Sequence, residues 1–117
     1  MRIGIPKESL AGETRVACTP ATVAQLQKLG FEVAVERGAG RGASLDDAAY
    51  EAAGALLVPT DEVWQSPLIY KLNAPNEAEA GNLKEGQTLV GFLYPNQNKE
   101  LVQKLADKKV NVLAMDM

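Results

Sequence analysis

Histidine is absent from this chain. The commonest acid–base side chain and metal ligand is therefore missing, and a Ser-His-Asp or Cys-His device within the chain is excluded. Cysteine occurs once, at Cys18, so no internal disulfide can form and a reducing compartment fits. A lone thiol beside a structured turn reads as packing rather than as a nucleophile. A zinc or iron site would need carboxylates plus that one thiol, and no ligand spacing is visible, so no metal is expected. No apolar run reaches the roughly 18 residues of a membrane span. The apolar stretch at the start is too short for a signal peptide. The 12 lysines and arginines are scattered within a net charge of −3, so the clustered basic face of a nucleic-acid binder is also lacking.

What is present is an ordinary globular balance, 46% hydrophobic and 23% charged over 117 residues, enough for one small domain. Strand and helix patterns alternate. A short apolar strand over 2–5 stops at Pro6. Thr19 is a good N-cap with Pro20 at the favoured first helical position, and Val23, Leu26 and Leu29 follow at helical spacing up to Gly30. A β-branched strand over 31–35 leads into a turn carrying Gly38, Gly40 and Gly42. Ser44 is expected to cap a helix running to residue 53, with Asp47 completing a capping box. Strands are expected over 55–58, 68–72, 87–93 and 110–114. Between them, Thr60 caps a turn of helix to 65, and a weak helix runs over 76–83. Asn98 caps a helix over 99–108 that turns Leu101, Val102, Leu105 and Ala106 one way. This alternation specifies an α/β fold: a doubly wound, mainly parallel, flavodoxin-like or Rossmann-like three-layer sheet. The last strand has no helix behind it, although parallel sheets are normally covered on both faces. The expectation is a sheet truncated at its C-terminal end, with cover supplied by further sequence or another chain; a complete small domain is the alternative.

Two loops invite a functional reading. The glycine turn at 38–42 follows a strand and precedes a helix, as a dinucleotide fingerprint requires. However, Ala43 stands where the third glycine belongs, and no clear acidic residue follows about 20 positions on. It reads as a turn into a short helix. The other loop leaves the first strand at its carboxyl end, where open α/β sheets bind ligands. It carries Arg15, a planar fork suited to a carboxylate or phosphate, though taken alone such an arginine is more often a surface ion pair. Asn73 and Tyr94 lie just past two further strands. With Lys71 they could join Arg15 at one rim, unless strand alternation points Lys71 elsewhere.

Met1-Arg2-Ile3-Gly4-Ile5-Pro6-Lys7-Glu8, Glu13-x-Arg15-Val16-Ala17-x-Thr19-Pro20, Val63-Trp64 and Lys71-Leu72-Asn73-Ala74-Pro75 carry a resemblance spanning essentially the whole chain. It resembles the N-terminal domain of the alanine dehydrogenase and pyridine-nucleotide transhydrogenase family, and is most similar to the alpha subunit of the proton-translocating transhydrogenase branch. Gly12 departs from the asparagine usual there. Alanine dehydrogenases carry a pyruvate-binding arginine, a catalytic lysine and a catalytic histidine. Arg15 matches the first, while Asn73 and Tyr94 stand at the other two. The resemblance therefore implies hydride transfer between NAD(H) and NADP(H), coupled to proton translocation. It further implies a homodimer, a beta subunit and NADP(H) on a partner domain, at the cytoplasmic side of the inner membrane. It implies a single N-terminal domain over 1–117, with the NAD-binding Rossmann domain and most NAD contacts beyond Met117. No catalytic or firm cofactor-binding residue is expected in the chain. Arg15, Lys71, Asn73 and Tyr94 are expected to line the cleft, and the fragment alone is expected to be inactive. Two alternatives stay open: a fragment of an alanine dehydrogenase-like enzyme with an altered site, and a stand-alone α/β interaction module.

Overall fold

The structure is a computed structural model, and it describes residues 1–8, 13, 15–43, 45–93 and 98–114. Six strands form one parallel sheet: β1 (Arg2–Ile5), β2 (Glu32–Glu36), β3 (Leu56–Val58), β4 (Leu68–Tyr70), β5 (Thr88–Gly91) and β6 (Asn111–Ala114). Their spatial order is β3-β2-β1-β4-β5-β6, the order of Rossmann-type sheets, with the switch point between β1 and β4. The helices are α1 (Pro20–Lys28), α2 (Asp47–Ala52), α3 (Thr60–Val63), α4 (Glu77–Asn82) and α5 (Lys99–Asp107).

Side-chain alternation divides the core into two layers. Ile3, Ile5, Val33 and Val35 pack with Val23 of α1 and Tyr50 of α2 on one face. Ala34, Ile69 and Leu89 pack with Val63, Leu83 and Leu105 on the other. The central strand β1 lies between both layers. A Cβ at Gly4 would sit 2.6 Å from the Val63 carbonyl oxygen, so glycine is what lets the end of α3 seat directly on β1. Val112 of β6 joins the second layer, whereas Leu113, pointing the other way, is 64% exposed.

Local chemistry sets the element ends, and several differ from expectation. Thr19 caps α1 as expected, its hydroxyl accepting from the Thr22 N–H. Asp46 caps α2, accepting from the Ala49 N–H, because a carboxylate one residue before the helix reaches that amide; Ser44 lies outside the described residues. Pro59 occupies the N-cap of α3 and Thr60 is its first residue, whose hydroxyl donates to Glu36 rather than capping. The weak α4 is held by a full capping box between Asn76 and Glu79. Asn98 precedes α5 but donates to the Leu93 carbonyl. Leu101, Val102 and Leu105 face the core, while Ala106 is exposed. Gln87 stands just before β5, its backbone N–H donating to the Lys84 carbonyl of the preceding turn, while its side-chain amide donates to the Trp64 and Ser66 carbonyls at 2.7 and 2.8 Å.

Candidate functional site

The exits of β1 and β4 are adjacent because those strands pair across the switch point. Glu8, just past β1, and Lys71, just past β4, meet there as a buried ion pair at 2.7 Å, each side chain only 1% exposed. Lys71 shares its face with buried Ile69, so alternation sends its ammonium under α4, with Glu79 at 3.8 Å. A buried ion pair repays its desolvation only when further hydrogen bonds satisfy it. Glu8 accepts from the Leu72 N–H at 2.8 Å, the Asn73 N–H at 3.0 Å and the Asn73 side-chain amide at 3.2 Å. One carboxylate thus fixes both an ammonium and the backbone of the β4 exit.

Asn73 extends the network outward. Its Nδ2 also donates to Glu13 Oε2 at 3.0 Å. Glu13 in turn holds Arg15 through Nε and Nη2, each at 2.9 Å, and accepts from the Arg15 backbone N–H at 2.9 Å. The Arg15 fork, then the Asn73 amide and the backbone N–H, hold the Glu13 carboxyl well below the usual carboxylate range. Farther along this loop, the buried Tyr50 hydroxyl donates to the Cys18 carbonyl at 2.6 Å and ties the segment to α2. Burial pushes the Cys18 thiol up to about 11 and the Tyr50 phenol up to about 12. Cys18 is therefore a protonated packing group at neutral pH. Beside the rim a cleft of about 510 Å³ opens, lined by Lys7, Glu8, Glu36, Thr60, Trp64 and Glu79 among others. Glu36 is engaged by the Lys7 N–H and the Thr60 hydroxyl.

The glycine turn is built differently. The Gly38 N–H donates to Asp47 Oδ1 at 2.9 Å. A Cβ at Gly40 would lie 2.7 Å from both the Leu45 carbonyl oxygen and the Tyr50 ring. Gly40 serves close packing against Leu45 and α2, while Gly38 supplies a positive φ of 79°. Among the described residues no group of His, Cys, Asp and Glu is placed to hold a metal, and no helix is long and apolar enough to cross a membrane.

Comparison with known proteins adds the relationship. Residues 4–117 match the family described as alanine dehydrogenase/PNT, N-terminal domain. The chain belongs to this family. It is 53% identical over 116 residues to the NAD(P) transhydrogenase subunit alpha of Haemophilus influenzae, covering 99% of this chain and 23% of that protein. It is 42% identical over 118 residues to an alanine dehydrogenase of Mycobacterium tuberculosis, covering 99% of this chain and 32% of that protein. Its backbone superposes on a solved transhydrogenase from Sinorhizobium meliloti with a TM-score of 0.95 at 32% identity, covering 99% of this chain and 35% of that one. The chain therefore spans about a third or less of these relatives, and the family is one of oxidoreductases.

Within this alanine dehydrogenase/PNT domain, Arg15, Lys71 and Asn73 come together through Glu8 and Glu13, with Lys71 buried beneath the rim rather than on it. Tyr94 lies outside the described residues. The sequence reading did not pick out Glu8, Glu13 and Glu79 as partners. The available signal was a carboxylate immediately past β1 opposite a lysine immediately past another strand, and it needed the knowledge that β1 and β4 are neighbours.

Proposed function

We propose that this chain is the N-terminal part of the NAD(H)-binding portion of a proton-translocating transhydrogenase, which moves hydride between NAD(H) and NADP(H). The observation that carries this reading is the commitment of Asn73. Its amide bridges Glu8 and Glu13, at the position where the family's amine chemistry would use a lysine, and Lys71 is buried against Glu8. Among the described residues of this rim, the lysine that could serve as proton donor in reductive amination is held in the buried pair with Glu8. Hydride transfer between nicotinamides asks for none, because the cofactors carry that chemistry and the protein positions the rings and excludes water. The higher identity to a transhydrogenase alpha subunit, 53% against 42% to an alanine dehydrogenase, supports the same branch.

Among the described residues, neither the glycine turn nor the loop after β1 offers an open cradle for a dinucleotide pyrophosphate. The glycine turn is closed by Asp47, Leu45 and Tyr50, and the loop after β1 is occupied by the Glu8 and Glu13 networks. In this reading the domain is one wall of a cleft. Arg15 and Asn73 line it, Lys71 supports it from below, and a second domain of the full-length protein holds most of the NAD(H). A homodimer and partner subunits carrying the NADP(H) site and the membrane span belong to the same proposal. The test is a pair of assays on the full-length protein assembled with its partner subunits. NADH-dependent reduction of an NADP analogue is expected, without NADH oxidation by pyruvate and ammonium. The reverse pattern would move the protein to the alanine dehydrogenase branch.

A further inference from the structure

The cleft of about 510 Å³ lies in the groove between α3 and α4, over the C-terminal ends of β1 and β2. Arg15 and Asn73 are not among the residues that line it, so it is a second opening at this edge of the sheet. Its volume falls within the roughly 300–1,000 Å³ of small-molecule sites. Trp64 forms one wall. The ring is 3% exposed, and among the described residues its indole N–H has no acceptor. An indole N–H buried to that degree is normally hydrogen-bonded. It is not sealed in the core, because the Ser66 hydroxyl is the one fully enclosed side-chain group without a partner among the described residues. The Trp64 N–H therefore opens on the groove that its ring lines.

Glu36 supplies the complementary group. Its Oε1 accepts from the Lys7 backbone N–H at 3.1 Å and its Oε2 from the Thr60 hydroxyl at 2.9 Å. Each oxygen keeps a further lone pair, so this carboxylate is aimed in advance and can accept from two adjacent hydroxyls. Glu36 ends β2, and in sheets of Rossmann order a carboxylate in that place holds the ribose hydroxyls of a nucleotide. A phosphate is a poor fit here. Glu8, Glu36 and Glu79 line the groove together with the one ammonium of Lys7, and Lys71 beneath is paired with Glu8. An anion would meet an excess of carboxylate, whereas a neutral ligand would not. We propose that the groove between α3 and α4 binds a neutral ribonucleoside, with Glu36 accepting from its vicinal diol and the Trp64 N–H donating to it. The Trp64 ring and Ala78 are the apolar surface on which the base rests.

The experiment titrates adenosine into the full-length protein already saturated with NADH, so that the nucleotide site of the second domain is filled. Binding is read by calorimetry and by amide shifts at Lys7, Glu36 and Thr60. Wild type is expected to bind with a Kd of about 0.1–1 mM. Glu36→Gln is expected to weaken binding about ten-fold and Trp64→Phe about three-fold. The dideoxynucleoside that lacks both ribose hydroxyls makes the same test on wild type, so a poorly folding variant does not block it; it should bind about ten-fold more weakly than adenosine. Adenosine monophosphate should also bind more weakly than adenosine. No saturable binding of adenosine would overturn the proposal. So would equal binding of the dideoxynucleoside, tighter binding of the monophosphate, or silence at Lys7, Glu36 and Thr60. The site rests on the groove alone, so a protein that behaves as an alanine dehydrogenase in the two assays above leaves it standing.

Discussion

Two regions at the C-terminal edge of the same sheet are built on opposite principles. The turn after β2 is rich in glycine and looks like a nucleotide loop, yet Gly40 is backed by Tyr50 and Leu45 and the Gly38 N–H is taken by Asp47. The exits of β1 and β4 carry no glycine signature, yet they join Glu8, Lys71, Asn73, Glu13 and Arg15 into one connected set. Glycine marks where backbone must come close, and what comes close can be the protein itself. Charge that is buried and satisfied marks where the chain holds a loop in one shape.

The sharpest way to break this contrast is to remove Glu8. Glu8→Ala leaves a buried ammonium and two backbone N–H groups without their acceptor, and a loss of about 3–5 kcal/mol is expected in denaturant unfolding. Lys71→Met should cost less, because Glu8 keeps three other donors. Equal losses would contradict the ordering, in which the carboxylate organises the exit. In the glycine turn, Gly40→Ala forces a methyl against the Leu45 carbonyl and the Tyr50 ring. It should cost about 1–3 kcal/mol by overpacking, with the nucleotide affinity of the full-length protein unchanged. A loss of affinity without a loss of stability would assign that turn to a ligand. Tyr50→Phe removes one buried hydrogen bond and should cost about 0.5–1.5 kcal/mol.

The two regions should also differ in pH dependence. Glu13 has a lowered pKa in the folded chain. Its contribution is present above the ordinary carboxylate range and is lost as pH falls toward the folded value. Tyr50 and Cys18 have raised pKa values. Their contribution is complete below their ordinary ranges and is lost as pH rises toward about 11 for Cys18 and about 12 for Tyr50. Stability curves against pH should therefore lose part of the acid limb in Glu13→Gln and part of the alkaline limb in Tyr50→Phe. An alkaline limb unchanged in Tyr50→Phe would place that titration elsewhere.

The alternation of patterns was enough to read a parallel doubly wound sheet, because periodicity and caps such as Thr19 are local signals. The choice between flavodoxin-like and Rossmann-like order was not legible, because which strand sits beside β1 is decided by crossovers that leave no local mark. The site shared that difficulty. Arg15, Lys71 and Asn73 were visible as polar residues past strand ends, but Glu8 lies 63 to 65 residues before the Lys71–Asn73 segment that it holds, and Glu13 lies 60 residues before Asn73. Asp46 and Ala106 show the smaller kind of miss, a shift of one or two positions at helix ends and faces, where competing local hydrogen bonds decide.

The most direct measurement is an amide-resolved NADH titration of the full-length protein. The predicted result is a set of shifts at Leu72 and Asn73 and at the Arg15 amide, with Gly38 and Gly40 unmoved. Shifts concentrated at Gly38 and Gly40, with the β4 exit silent, would contradict the assignment of the charged rim as the ligand-facing edge.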